Sequence, residues 1–417
     1  MLPILLFLAV PILGFIFAMK DLRKWESKLT FVLLYTLYGY ATSFEMDTAD
    51  SYRIARFFYF GSWNIDAILY NYSNGTYTDL YRYCIYAYVQ PFSKNPKVLY
   101  AVFSLIYGFF SCLAITQLYT VWKRKKTVFF YLIVFLFFVH LSFFNITTTR
   151  FFTASAVFIY FTIQFLYFDR KLALIGICIT PLIHFSFYFA VIVILLYIFI
   201  VRTSKFSKYC YWFYVFAFVI SLAKPQTWVD DTMGDEEQQE EMTSSTSINR
   251  KIKAYSKTTK NDGPEVDSGK QKSAYSQGRS FFKTVTSVLY RWGLLLMCTI
   301  FYRKNKKGKL RQNKTQDELL NFIFFYFGAT TLASLFFSGA GRFRYNCDAI
   351  MMFWLCAVFV QNESIRWKDY VIMLIPIKIY QISFFFFNAP RHCVSMFWWA
   401  TPFSTIIDGV DFVPNFL

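Results

Sequence analysis

Residues Leu172–Val201 read LALIGICITPLIHFSFYFAVIVILLYIFIV, and whether this run crosses a membrane once or twice decides the topology of the chain after it. At about 20 apolar residues per crossing, it is too long for one ordinary span and short for two. Charge arbitrates. If the chain turns back near Pro181 and His184, the segments KDLRKWESK, KRKK, DRK, RTSKFSK, RKNKKGKLRQNK and ESIRWK share one face with 22 lysines and arginines, against nine opposite when the loop near 224–283 is left aside. A single span would move RKNKKGKLRQNK to the poor face. Because short cytoplasmic loops collect Lys and Arg, the hairpin reading makes the rich face cytoplasmic and puts both termini outside.

Composition agrees with a chain that lives in lipid. Of 417 residues, 56% are hydrophobic, 23% aromatic and 16% charged, far from the balance of a soluble domain. Apolar windows recur along the whole length, at roughly 2–19, 29–44, 98–121, 127–144, 150–168, 172–184, 186–201, 207–223, 281–302, 318–338, 346–361 and 369–387. The expected fold is an all-α polytopic membrane protein of about 12 transmembrane helices, built as a single membrane domain over 1–417. The first segment has neither a basic start nor a small-residue cleavage site and reads as a retained span. The net charge of +18 follows from the basic turns, so a nucleic-acid partner is not implied. The scattered cysteines show no CxxC or zinc-ligand spacing.

Two external segments are long: a first loop over 45–97 and a polar loop over 224–280. The second is acidic early (DDTMGDEEQQEE) and basic later (NRKIKAYSKTTK); it holds too little apolar content to fold alone.

Few polar residues interrupt the apolar runs on the outer side. Arg150, in TTTRFFTASAVF, is either an arginine reaching the headgroups or a fork for an anion, since a guanidinium can engage two phosphate oxygens at once. Arg342 and Arg344, in SGAGRFRYNCD, follow glycines that let backbone approach a ligand. His184 comes three residues after Pro181 in TPLIHFSFYF. It is either a satisfied core histidine or a group that exchanges a proton. Asp47 and Asp50, in MDTADSYRIARFFYFGSW, are candidate bases for a sugar hydroxyl, with Tyr52 and Arg53 beside them as sugar contacts. The alternative is an amphipathic surface stretch with solvated carboxylates. No Walker motif, dinucleotide fingerprint, HExxH or GxSxG occurs.

The order of DTADSY, TTTRFFTASAVF, DRK, PLIHFS and GRFRYN resembles the bacterial oligosaccharide repeat-unit polymerases of the EpsG and Wzy type, which serve O-antigen, capsule and exopolysaccharide synthesis. The resemblance covers roughly 40–200 by motif and the rest by topology. It implies a GT-C-like glycosyltransferase of the bacterial inner membrane with its active site facing the periplasm. The implied substrates are undecaprenyl-diphosphate-linked oligosaccharides, with a chain-length regulator and a flippase as partners. Arg150, with Arg342 or Arg344 and His184, would then hold the diphosphate leaving group, and Asp50 or Asp47 would deprotonate the acceptor. The sugar–diphosphate bond would supply the free energy, with no cofactor and no metal. A lipid-linked oligosaccharide flippase, an O-antigen ligase or another lipid-linked glycosyltransferase are the competing readings.

Overall fold

The computed structural model describes residues 1–42, 44, 50–123, 126–222, 274–308, 313–336, 340–361, 382 and 401–410. Among them every regular element is a helix. Five helices are long and apolar enough to cross a membrane, and a sixth crossing arises if the bent pair Phe187–Val201 and Lys205–Leu222 is one span. Outward surfaces among them carry exposed Leu105, Phe109 and Phe135, a pattern suited to acyl chains. The chain is an all-helical, polytopic membrane protein. The helices pack as two compact units, Met1–Val191 with Phe384–Leu417, and Ile192–Ser383.

In the first unit, α1 (Leu2–Ala9) and α2 (Pro11–Ala18) replace the expected single span over 2–19. The cause is local. Pro11 drives the residue before it out of the helical region, and Val10 is extended at φ −143° and ψ 107°. Each helix has 8 residues, about 12 Å of rise against about 30 Å of hydrocarbon, so neither crosses alone. They fold on each other so closely that a Cβ on Gly14 would lie 2.5 Å from the Phe7 nitrogen. The Met1 ammonium therefore lies 3.3 Å from Glu26 Oε1, beside the first basic turn, and not at the opposite end where a single span over 2–19 would put it.

Helix α3 (Trp25–Tyr40) runs antiparallel to a 26-residue helix, Pro96–Val121. Contacts step regularly along the pair. The Tyr119 hydroxyl donates to the Met19 carbonyl, the Thr116 hydroxyl to Leu22, Gly108 seats Tyr35, and Gly39 meets Ser104. Between these two helices, within the segment read as a first loop, residues 50–89 form a helical cap: α4 (Asp50–Phe60), α5 (Ile65–Ser73) and α6 (Leu80–Val89). Hydrogen bonds from Tyr100 to the Ser51 carbonyl and from Tyr86 to that of Ile54 tie α4 down. The 26-residue helix is α7; α8 (Val128–His140), α9 (Thr149–Leu166) and α10 (Ala173–Ile183) complete this unit's layer. The long apolar run Leu172–Val201 does break where its sequence turns polar. Helix α10 ends at extended His184, and α11 (Phe187–Leu196) begins three residues later.

The second unit contains α12 (Cys210–Leu222), α13 (Ala274–Lys306), α14 (Lys314–Phe336) and α15 (Arg344–Gln361). Helices α14 and α15 run antiparallel, held by Gln316, which donates to the Ala357 carbonyl while its own carbonyl accepts from the Trp354 indole. Residues 223–273, nearly all of the long polar loop, lie outside the described residues, as does the span expected over 369–387 apart from residue 382.

Candidate functional site

Three chain segments meet at the end of the first unit opposite its basic turns. Asp79 stands at the N-cap position of α6, where an aspartate ordinarily accepts from its own helix, yet it makes no such bond. Its carboxylate turns instead toward α9 and α10. Arg150 Nη1 donates to Asp79 Oδ2 at 2.5 Å, and the Asp79 Oδ1 atom lies 3.3 Å from His184 Nδ1 and accepts from the Phe185 backbone N–H at 3.0 Å. The side chains are 0% (Asp79), 18% (Arg150) and 9% (His184) exposed.

Each partner has a local reason to be there. Arg150 is the second residue of α9, where the helix dipole disfavours a cation; the Asp79 carboxylate offsets that. His184 caps α10 in an extended conformation, three residues after Pro181. Proline has no N–H for the Ile177 carbonyl, and the Thr180 hydroxyl, 2.7 Å away, supplies the donor instead. Gly176 lets α10 close on α9, since a Cβ there would lie 2.3 Å from the Phe161 ring. The Phe151 ring stands edge-on to the imidazole with centroids 6.1 Å apart.

Burial alone would raise the Asp79 pKa. The His184 hydrogen bond, the charges of His184 and Arg150 and the Phe185 N–H outweigh it and hold the carboxyl well below the usual carboxylate range. Asp79 is therefore an anion at neutral pH, and the best-placed donor to it from the imidazole is Nδ1–H. With the proton on Nδ1, Nε2 becomes the basic nitrogen. Nearby, Tyr72 on α5 lies against Tyr188, and burial followed by that neighbouring phenol pushes the Tyr72 phenol up. Tyr188 is 55% exposed.

Sequence reasoning thus reached Arg150 and His184 but not Asp79, the residue that joins them. Its cue was faint: an acid directly before an apolar helix, in TDLYRY, reads as an ordinary cap. Asp50 opens α4, Tyr52 is buried there and Arg53 is exposed; Asp47 lies outside the described residues. Arg342 and Arg344 belong to the second unit, Arg342 exposed in a short 3-10 turn and Arg344 at the start of α15, donating to Ser334 Oγ at 3.0 Å. A few ångströms of empty space beside Arg344 are shared by Tyr214, Tyr290 and Thr331, and Tyr290 donates to Asp348 Oδ1 at 2.8 Å. Comparison with family models, with curated proteins and with solved structures gives no match.

Proposed function

We propose that this protein is a membrane glycosyltransferase that polymerises oligosaccharide repeat units carried on a polyprenyl diphosphate, as the resemblance to the EpsG and Wzy type suggests. The observation that carries the reading is the Asp79–Arg150–His184 cluster: an imidazole and a guanidinium on one buried carboxylate, at the end of the helical layer opposite the basic turns. That end is the periplasmic one in a bacterial inner membrane if the basic turns face the cytoplasm.

In this reaction His184 Nε2 takes the proton of the acceptor hydroxyl as its oxygen bonds to the anomeric carbon of the growing chain. The bond from that carbon to the diphosphate breaks, and its electron pair leaves on the diphosphate. Arg150 meets the negative charge that builds there, as a planar, always-charged guanidinium suits phosphate oxygens. Asp79 keeps the proton on Nδ1 and stabilises the imidazolium that forms. Asp79 thus orients the base, and His184 takes the role that Asp50 or Asp47 would otherwise fill. The Tyr72 and Tyr188 phenols would contact sugar rings.

The test is reconstitution of the purified chain in vesicles with a synthetic polyprenyl-diphosphate oligosaccharide. Lengthened glycans with release of polyprenyl diphosphate support the reading; substrate that only changes leaflet, unlengthened, would indicate a flippase.

A further inference from the structure

Helix α5 carries an apolar stripe that the first unit covers only in part. Ile65, Leu69 and Tyr72 follow one another at spacings of four and three, so they share one side of the helix, with Ile68 beside them. Ile68 is buried, whereas Ile65 is 56% and Leu69 49% exposed. Asp66 and Ser73, the next positions round the helix from Leu69, are exposed and polar. The Asn64 side chain caps the same end, accepting from the Asp66 N–H at 2.8 Å. The helix thus has one side packed on protein, one apolar and uncovered, and one polar.

Its level relative to the membrane helices is fixed at the last turn. The Tyr72 phenol lies against that of Tyr188 and feels the charge of Asp79. Tyr188 is the second residue of α11, which reads FYFAVIVILL, and Asp79 holds Arg150, the second residue of the membrane-crossing α9. Tyr72 is therefore level with the outer ends of both helices, where tyrosines collect in the headgroup layer. From that level Leu69 and Ile65 extend the stripe. Tyr188 is itself 55% exposed, so the uncovered side of α5 continues the outward surface of an apolar membrane helix.

We propose that α5 lies along the leaflet opposite the basic turns, with Ile65 and Leu69 among the upper acyl carbons and Asp66 and Ser73 in the headgroups. An amphipathic helix at a bilayer surface sinks its apolar side roughly 5–10 Å into the boundary between headgroups and chains. A protein partner fits the stripe less well: a stable interface covers about 1,200–2,000 Å², and here two side chains of a nine-residue helix are on offer. Asp79 follows soon after α5, so the leaflet seats the segment that delivers this carboxylate to Arg150 and His184.

The experiment uses the full chain in a cysteine-free background, in vesicles of phosphatidylethanolamine and phosphatidylglycerol. Leu69→Cys, Ile65→Cys and Ala67→Cys each carry a bimane label; Ala67 is exposed and, two residues from Leu69, on the opposite side of the helix. The quenchers are lipids with a nitroxide high on the acyl chain, lipids with one at the chain end, and aqueous iodide. All three side chains are exposed, so the variants keep their fold. Labels at Leu69 and Ile65 are expected to be quenched by the shallow nitroxide more than by the deep one, and to lose most of the iodide quenching seen at Ala67. Iodide quenching as strong at Leu69 and Ile65 as at Ala67 would overturn the proposal. Shielding from iodide and nitroxides alike would overturn it in favour of a protein cover, such as a second copy of the chain. Stronger quenching by the deep nitroxide would overturn it in favour of a helix inside the hydrocarbon.

Discussion

One carboxylate with no exposed surface, Asp79, faces a guanidinium through one oxygen and an imidazole through the other, and the chemistry proposed for this protein depends on that division. Arg150→Lys replaces a planar fork with a point charge; turnover in the reconstituted assay is expected to fall more than about tenfold, equivalent to about 1.4 kcal/mol of barrier, with membrane insertion intact. Removing the base in His184→Ala is expected to cost about 10²–10⁴-fold. Asp79→Asn keeps the shape but loses the charge that fixes the tautomer, so kcat should drop while His184 remains in place. The pH dependence follows from the depressed pKa of Asp79. An unfolded aspartate takes up its proton near pH ~3.9, before the folded one does. The stabilisation from Asp79 is therefore fully present above that pH and is lost as pH falls toward the folded value. Melting temperatures of wild type and Asp79→Asn should keep their separation down to about pH 4 and converge only below it; convergence at neutral pH would contradict the arrangement. Arg150 and His184 were legible in the sequence because a charge or imidazole in an apolar run stands out. Asp79 was not, because in TDLYRY it reads as an ordinary helix cap until tertiary packing buries it.

At the level of elements, close helix approach replaces polar adhesion. A Cβ on Gly39 would lie 2.0 Å from Ser104 Oγ and 2.4 Å from the Tyr100 carbonyl oxygen, and one on Gly108 would lie 2.6 Å from Tyr35 Cβ. Backbone cannot retreat from such contacts as a flexible side chain can. Gly39→Val is expected to destabilise the first unit by about 1–3 kcal/mol through overpacking, seen as an earlier loss of monodisperse protein on heating; an unchanged melting temperature would mean that α3 and α7 are not in this contact. Most helices between residues 96 and 222 were readable from their apolar runs, because lipid-facing and core-facing sides are both hydrophobic and length decides. The hairpin of α1 and α2 was less visible, since hydropathy is continuous across it and Pro11 alone marks the break. The helical cap over 50–89 went unread for the opposite reason. Its short helices are stabilised by packing on α7 and α10, which no local pattern encodes.

Across the molecule, the basic turns after α2, α7 and α9 gather at one end of the first unit and the Asp79 cluster at the other, as the charge count along the sequence anticipated. Met1 is the exception to that count, since it lies beside Glu26 at the basic end. In a cysteine-free background, a cysteine at Leu2 and one at His184 should therefore react with an impermeant thiol reagent from opposite sides of the membrane. Labelling of both from one side would contradict the paired helices α1 and α2. The polymerase reading itself is tested most directly in the source organism, by deleting the gene and restoring wild-type and Arg150→Ala copies in parallel while the surface polysaccharide is resolved on a gel. The account predicts a ladder that collapses to a single repeat unit, returns with wild type and stays collapsed with Arg150→Ala. A ladder left unchanged by the deletion, or restored in full by Arg150→Ala, would contradict it.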